Sequence, residues 1–248
     1  MNFKQGIIIC LLCWASTAFA DNIFDEVRDR HIPIEITLPD NDDKCTLKGK
    51  CRVAFLSAGY GISHLKYTFL ADMLSKLDYL VIAVGHELPT DPPLSVTGNL
   101  YDTRSENWQR GAETLAFLKG KLSRRFSHYD FENITLIGHS NGGDISAWLA
   151  NNNVFYIAQL ITLDHRRVPL PRTHNIRVLS IRASDFPADK GVLPNEAEQA
   201  KFGSCIVKIP NAKHNDIADF GPTWLKESIQ QLIRVHLQGQ HCSTLKPL

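Results

Sequence analysis

The 248-residue sequence predicts an α/β protein: a mainly parallel sheet covered by helices on both faces. Two observations predict it. Short, mainly apolar runs alternate along the chain with longer stretches whose apolar residues recur at helical spacing. One of those runs leads into Gly138-His139-Ser140-Asn141-Gly142-Gly143, and a helical stretch leads out, so a glycine-flanked serine sits at a strand–turn–helix junction. A hydrophobic content of 44% is enough for one domain with a sizeable core, and no repeat or linker divides the chain.

Taken in order, Met1–Ala20 reads as a secretory signal peptide. Basic Lys4 precedes an uncharged apolar run, Gly6 to Trp14, and Ala18-Phe19-Ala20 supplies an A-x-A cleavage site. The run is short for a membrane span, so no stable membrane anchor is expected. The remaining residues, 21–248, form a single domain in this reading, and a secreted or periplasmic location follows. The whole chain carries a net charge of +1; losing Lys4 brings it to about zero, which gives no general attraction to nucleic acid or to anionic membranes.

Ile34–Leu38 alternates apolar and polar residues and predicts a half-exposed strand. Arg52–Ser57 predicts a buried strand, Leu65–Leu77 a helix and Tyr79–Val84 another buried strand. Pro89–Asn99 is a polar, proline-rich excursion, and Thr103–Leu122 a long amphipathic helix. After the serine junction come strands at Ile157–Leu163, Ile176–Ile181 and Cys205–Ile209, a short helix at Ala197–Phe202, and a last helix at about Pro222–Leu237. An exported chain makes cysteines meaningful. Cys45 and Cys51 flank a polar stretch that looks like a hairpin tip. Cys205 opens the last strand, and Cys242 follows a helix running back down. The expected disulfides are Cys45–Cys51 and Cys205–Cys242. No C-x-x-C or paired Cys/His spacing points to a metal, and no metal or cofactor is expected.

The chemistry starts from Ser140. A G-x-S-x-G turn between strand and helix strains its apex residue and projects the hydroxyl above the sheet edge. The next backbone N–H, of Asn141, stands at a helix N-terminus and can hold an oxyanion. A serine nucleophile needs a base. Of ten histidines, only His214 follows the last strand with loop residues around it. His139 lies inside the turn and should shape it. The base needs a carboxylate to fix its tautomer. Asp185, shortly after the strand at Ile176–Ile181, is the first choice; Asp189 in the same loop and Asp164 at the end of the preceding strand are the others. The glycine-rich loop Ser57–Ser63 should supply a second oxyanion donor, for which the Tyr60 N–H is the candidate.

These residues and their order, Ser140, Asp185, His214, resemble the α/β-hydrolase superfamily. The Gly-His-Ser-x-Gly-Gly turn is similar to those of secreted esterases and lipase-like enzymes. The resemblance implies a mostly parallel sheet of about eight strands and cofactor-free hydrolysis through an acyl-enzyme. Many members carry His-Gly in the oxyanion loop; here Ala58-Gly59 stands there, which keeps a backbone donor. The loop Asp164–Asn175 is too short for a large cap domain, so the site should be open, with Pro89–Asn99 partly over it. On this reading the substrate is a small-molecule or lipid-like carboxylic ester. A peptidase, amidase or thioesterase would use the same three groups, and a non-catalytic binding protein would not need them. His165-Arg166-Arg167 and Arg172 lie on the same rim, as a solvated, salt-bridged loop or as contacts to an anionic substrate group.

Overall fold

The computed structural model describes residues 18–247. Eight strands form one sheet in the order β1-β2-β4-β3-β5-β6-β7-β8. In chain order the strands are β1 Ala18–Asp25, β2 Arg30–Thr37, β3 Arg52–Ser57, β4 Tyr79–Val84, β5 Ile134–His139, β6 Ile157–Leu163, β7 Arg177–Arg182 and β8 Cys205–Lys208. From β4 to β8 across the sheet all pairs are parallel; β1 and β2 add an antiparallel edge. The helices are α1 Thr68–Ser75, α2 Leu100–Arg125, α3 Asn141–Ala150, α4 Glu196–Phe202 and α5 Thr223–Leu237.

Alternation along each strand divides the interior into two cores. Val53 and Phe55 of β3 face α2 and α3, whose Trp108, Leu115, Leu118, Ile145 and Ala147 are buried there. Ala54 and Leu56 face the opposite side, where Leu70, Leu74, Leu225, Ile229 and Leu232 of α1 and α5 pack. Sandwiching between helices is why β4 and β5 are buried at every position and β4 carries only apolar and aromatic residues. The connection from β6 to β7 is a short loop without a cap domain.

β1 is an addition to the sequence reading. Ala18–Ala20, the expected cleavage site, pair with Thr37, Ile36 and Glu35 at the sheet edge, and Asp21–Asp25 continue the pairing. The signal-peptide reading of residues 1–17 lies outside the described residues. Both disulfides are formed as expected, with Cα–Cα distances of 5.1 Å for Cys45–Cys51 and 5.4 Å for Cys205–Cys242. The Cys45–Cys51 stretch is not a hairpin tip, however. Thr46 N–H donates to Gly49 O and closes a turn, but β2 and β3 on either side are separated by β4. Two disulfides are compatible with a secreted or periplasmic protein. Among the described residues no helix is long and apolar enough to cross a membrane.

Candidate active site

The turn after β5 is built by close backbone approach. Ser140 has φ 51° and ψ −120°, in the left-handed half of backbone space that a side chain occupies only under constraint. A Cβ on Gly142 would lie 2.3 Å from the Ser57 carbonyl oxygen, and one on Gly138 2.2 Å from that of Gly142. Neither position tolerates a side chain, so β3, β5 and α3 are held together at the serine. Ser140 N–H donates to Leu163 O at 2.9 Å, which ties the turn to the end of β6.

His214 stands in a 3₁₀ turn, His214–Asp216, after β8. Its Nε2 is 2.9 Å from Ser140 Oγ, and its Nδ1 is 2.6 Å from Asp164 Oδ2. The carboxylate facing the imidazole is therefore Asp164, not Asp185. The register gives the reason. His139 pairs with Leu163, so Ser140 and Asp164 follow their strands side by side, one strand spacing apart. Asp185 lies one strand further away, on an exposed loop, and its two oxygens accept the backbone N–H of His214 at 2.9 and 3.1 Å. It holds the loop of His214 rather than its ring. Asp189 pairs with Arg167 instead.

Asp164 is completely buried and has φ 52°. Burial raises its pKa, but the bond to His214, the Arg182 guanidinium 2.9 Å from Oδ1 and the N–H of Ala183 at 3.0 Å outweigh it and keep the carboxyl below its usual range. Arg182, which the sequence reading passed over, thus keeps Asp164 ionised and also donates to His165 O.

A second chain of hydrogen bonds runs beneath the serine. Gly59 N–H donates to Tyr67 Oη at 3.0 Å, and Tyr67 Oη is 2.8 Å from His139 Nδ1. His139 Nε2 is 3.1 Å from the carbonyl oxygen of His214. One tautomer satisfies all of it: the Tyr67 hydroxyl donates to Nδ1, and Nε2–H donates to His214 O. Burial, helped by the neighbouring His214, pushes the His139 pKa down to about 3, so the ring stays neutral. Inside the turn, as expected, His139 shapes it, and through Tyr67 it also links the Ser57–Ser63 loop to the backbone of His214.

Both expected oxyanion donors border the cavity that holds Ser140 and His214, at about 250 Å³. Asn141 opens α3, and its side chain is fixed by Trp108 Nε1 at 2.9 Å and by Asn107 Oδ1 at 2.8 Å. Tyr60 follows Gly59, whose own N–H is engaged by Tyr67; the Tyr60 hydroxyl accepts from Leu94 N–H at 3.0 Å. Leu94 and Val96, from the proline-rich excursion, line the same cavity. Of the basic rim, Arg166 and Arg167 line it, joined by Arg104 of α2, which sequence spacing did not single out. His165 does not: it is buried, with a pKa pushed down to about 3 chiefly by that burial. Arg172 is spent on the carbonyls of Leu170, Gly191 and Val192. Among the described residues no cluster of His, Cys, Asp or Glu is arranged to hold a metal ion.

The strand order, the turn after β5 and the placement of Ser140 and His214 define the α/β-hydrolase fold. Solved structures agree. A ferulic acid esterase from Streptomyces cinnamoneus superposes with a TM-score of 0.67 at 14% identity, over 96% of this chain and 93% of that one. A dienelactone hydrolase from Anabaena variabilis gives 0.62 at 14% identity, over 91% and 99%. An S-formylglutathione hydrolase from Agrobacterium tumefaciens gives 0.61 at 13% identity, over 94% and 99%. No protein-family model and no curated protein sequence matches the chain.

Proposed function

We propose that this protein is a serine hydrolase that cleaves carboxylic esters through an acyl-enzyme, with Ser140 as nucleophile, His214 as general base and acid, and Asp164 as the carboxylate behind the histidine. The observation that carries the reading is one continuous line of contacts: Ser140 Oγ to His214 Nε2 at 2.9 Å, and His214 Nδ1 to Asp164 Oδ2 at 2.6 Å. The buried, ionised Asp164 holds the hydrogen on Nδ1 and leaves Nε2 free to accept the serine proton.

In this mechanism His214 takes the proton as Ser140 Oγ attacks the ester carbonyl. The developing oxyanion lies against the backbone N–H groups of Asn141 and Tyr60. Asp164 stabilises the imidazolium, which then protonates the leaving alcohol. Water, activated by the same Nε2, attacks the acyl-enzyme and regenerates Ser140. Esterase and hydrolase structures on the same fold support the reaction class. The two disulfides and the A-x-A site support an exported enzyme processed after Ala20, which would leave Asp21–Asp25 of β1 on the sheet edge.

Short 4-nitrophenyl esters and a fluorophosphonate probe test the proposal. The parent protein is expected to hydrolyse the esters and to be labelled on Ser140. Ser140→Ala should keep the parent circular dichroism and lose turnover by several orders of magnitude. A folded Ser140→Ala protein with parental activity would sink the assignment.

A further inference from the structure

The cavity beside Ser140 is ringed by Arg104, Arg166 and Arg167, and these three guanidinium groups are not in equivalent situations. Arg167 is paired: Nη1 bonds the Asp189 carboxylate. Arg104 is held only through Nε, which donates to Ser95 O at 2.7 Å and leaves its outer nitrogens uncommitted. Arg166 lies over the Phe186 ring at 4.7 Å, and that ring stands edge-on to His214 with centroids 5.5 Å apart. Among the described residues no carboxylate forms an ion pair with Arg104 or Arg166.

The charge balance of the cavity follows. Asp144 is the one carboxylate on its wall, and that group is turned to the backbone: Oδ1 accepts the N–H of Arg167 at 2.8 Å and of Val168 at 2.9 Å. Those bonds set the path of the Arg166–Val168 segment and so hold its guanidiniums at the mouth. Behind Asn141, Glu87 belongs to a separate balanced group with Asp91, Arg30 and Arg110. With Asp189 and Asp144 set against three guanidiniums, one positive charge is left over. The crowding is felt at Arg104, whose pKa is lowered by burial and then by the neighbouring Arg167 and Arg166.

Resting on the esterase reading above, we propose that the substrate is an ester whose acyl chain ends in a carboxylate, which Arg104 and Arg166 bind while Ser140 attacks the ester carbonyl. A surplus of one charge matches a carboxylate better than a doubly charged phosphate. Planar guanidinium groups suit its two oxygens. The same cavity is also lined by Leu94, Val96 and Phe186, which suits an apolar segment joining carboxylate to ester. A cavity of about 250 Å³ fits the half-ester of a short dicarboxylic acid.

Two esters of equal chain length test this: 4-nitrophenyl hexanoate and mono-4-nitrophenyl adipate, which differ by a terminal carboxylate. At low salt kcat/KM for the adipate ester is expected to exceed that for the hexanoate by ~10-fold or more, and the gap should narrow as salt rises. The Arg104→Gln/Arg166→Gln double variant should bring the ratio of the two towards unity. Arg124→Gln, an exposed change at the far end of α2, should leave the ratio as in the parent. A parent ratio of one or less overturns the proposal, as does a double variant that loses both activities in equal proportion. A binding arm separates this from the esterase reading: calorimetric titration of monomethyl adipate into Ser140→Ala, with and without the two arginine changes. If neither nitrophenyl ester is cleaved yet monomethyl adipate binds through the arginines, the esterase reading fails and the anion site stands. Binding that is absent, or insensitive to the arginine changes, sinks the anion site.

Discussion

Replacing Asp164 by Asn separates it from Asp185, two of the three carboxylates that sequence order alone left in competition. An amide at position 164 can still accept the Ala183 N–H, but its NH2 then faces His214 Nδ1, which must turn from donor to acceptor. The imidazole hydrogen moves to Nε2, where it blocks proton uptake from Ser140. The size of the effect follows from the contact. A full charge pair at the 2.6 Å separation of Nδ1 and Oδ2, in an effective dielectric of about 20, is worth about 6 kcal/mol. Loss of that stabilisation as the imidazolium forms lowers kcat by ~10⁴-fold. Asp185→Asn keeps a carbonyl oxygen for the His214 backbone N–H and is expected to stay within ~10-fold of the parent. The assay is steady-state hydrolysis of a 4-nitrophenyl ester by both variants at pH 7–8, with circular dichroism to establish folding. A loss of ~10³-fold or more in Asp185→Asn alongside near-parental Asp164→Asn would refute the reasoning.

Tyr67→Phe leaves the Gly59 N–H and His139 Nδ1 without their partner, both in buried surroundings. It should cost about 1–3 kcal/mol in urea denaturation and lower kcat more than it raises KM, because the proposed oxyanion loop and the backbone of His214 hang on the same hydroxyl. Asp144 is pushed by burial from 3.8 up to about 6, so its stabilising effect is complete below pH 3.8 and is lost as pH rises through about 6. Asp144→Asn does not titrate and should therefore improve relative to the parent by about 2 kcal/mol between pH 4 and pH 7 in denaturant melts; a pH-independent difference would contradict this. Asp164 has the opposite sign, with a folded pKa below 3.8, so its contribution is present above that value and is lost only as acid is carried further down. Opening the Cys205–Cys242 bridge, which closes 37 residues of chain, should destabilise by about 4 kcal/mol, against about 2 kcal/mol for Cys45–Cys51, which closes 6, as read from melts of the paired Cys→Ser variants.

Much of the fold was legible because its signals are local. Arg52–Ser57, Tyr79–Val84 and Ile157–Leu163 are short apolar runs between polar turns, and they are strands over those residues. The glycines around Ser140 announced a backbone crossing that the structure places against Ser57. β1 was missed because Ala18–Ala20 carry the small residues of a cleavage site, and no local pattern says that the same residues can pair with β2. Asp185 was ranked ahead of Asp164 as the partner of His214 because strand adjacency is not written in loop spacing. Asp164 and Asp185 each follow a strand, and only the sheet order puts Asp164 beside Ser140. Arg104 and Arg182 were silent for a related reason. One is a cation on a helix rich in charges and the other ends a strand. Their significance comes from neighbours 36 and 18 positions away in sequence, Ser140 and Asp164.

The hydroxyl of Tyr60 holds the backbone of Leu94, while the N–H of the same tyrosine is a proposed oxyanion donor. On the proposed mechanism, the wall that would measure the substrate and the loop that would receive its charge are thus mechanically one piece. Rewriting residues 89–99 to admit a different ester would disturb the geometry of turnover at the same time. Selectivity and rate of the proposed hydrolysis should then shift together under mutation of that segment, and a variant library confined to it would trace a single trade-off curve rather than fill the plane.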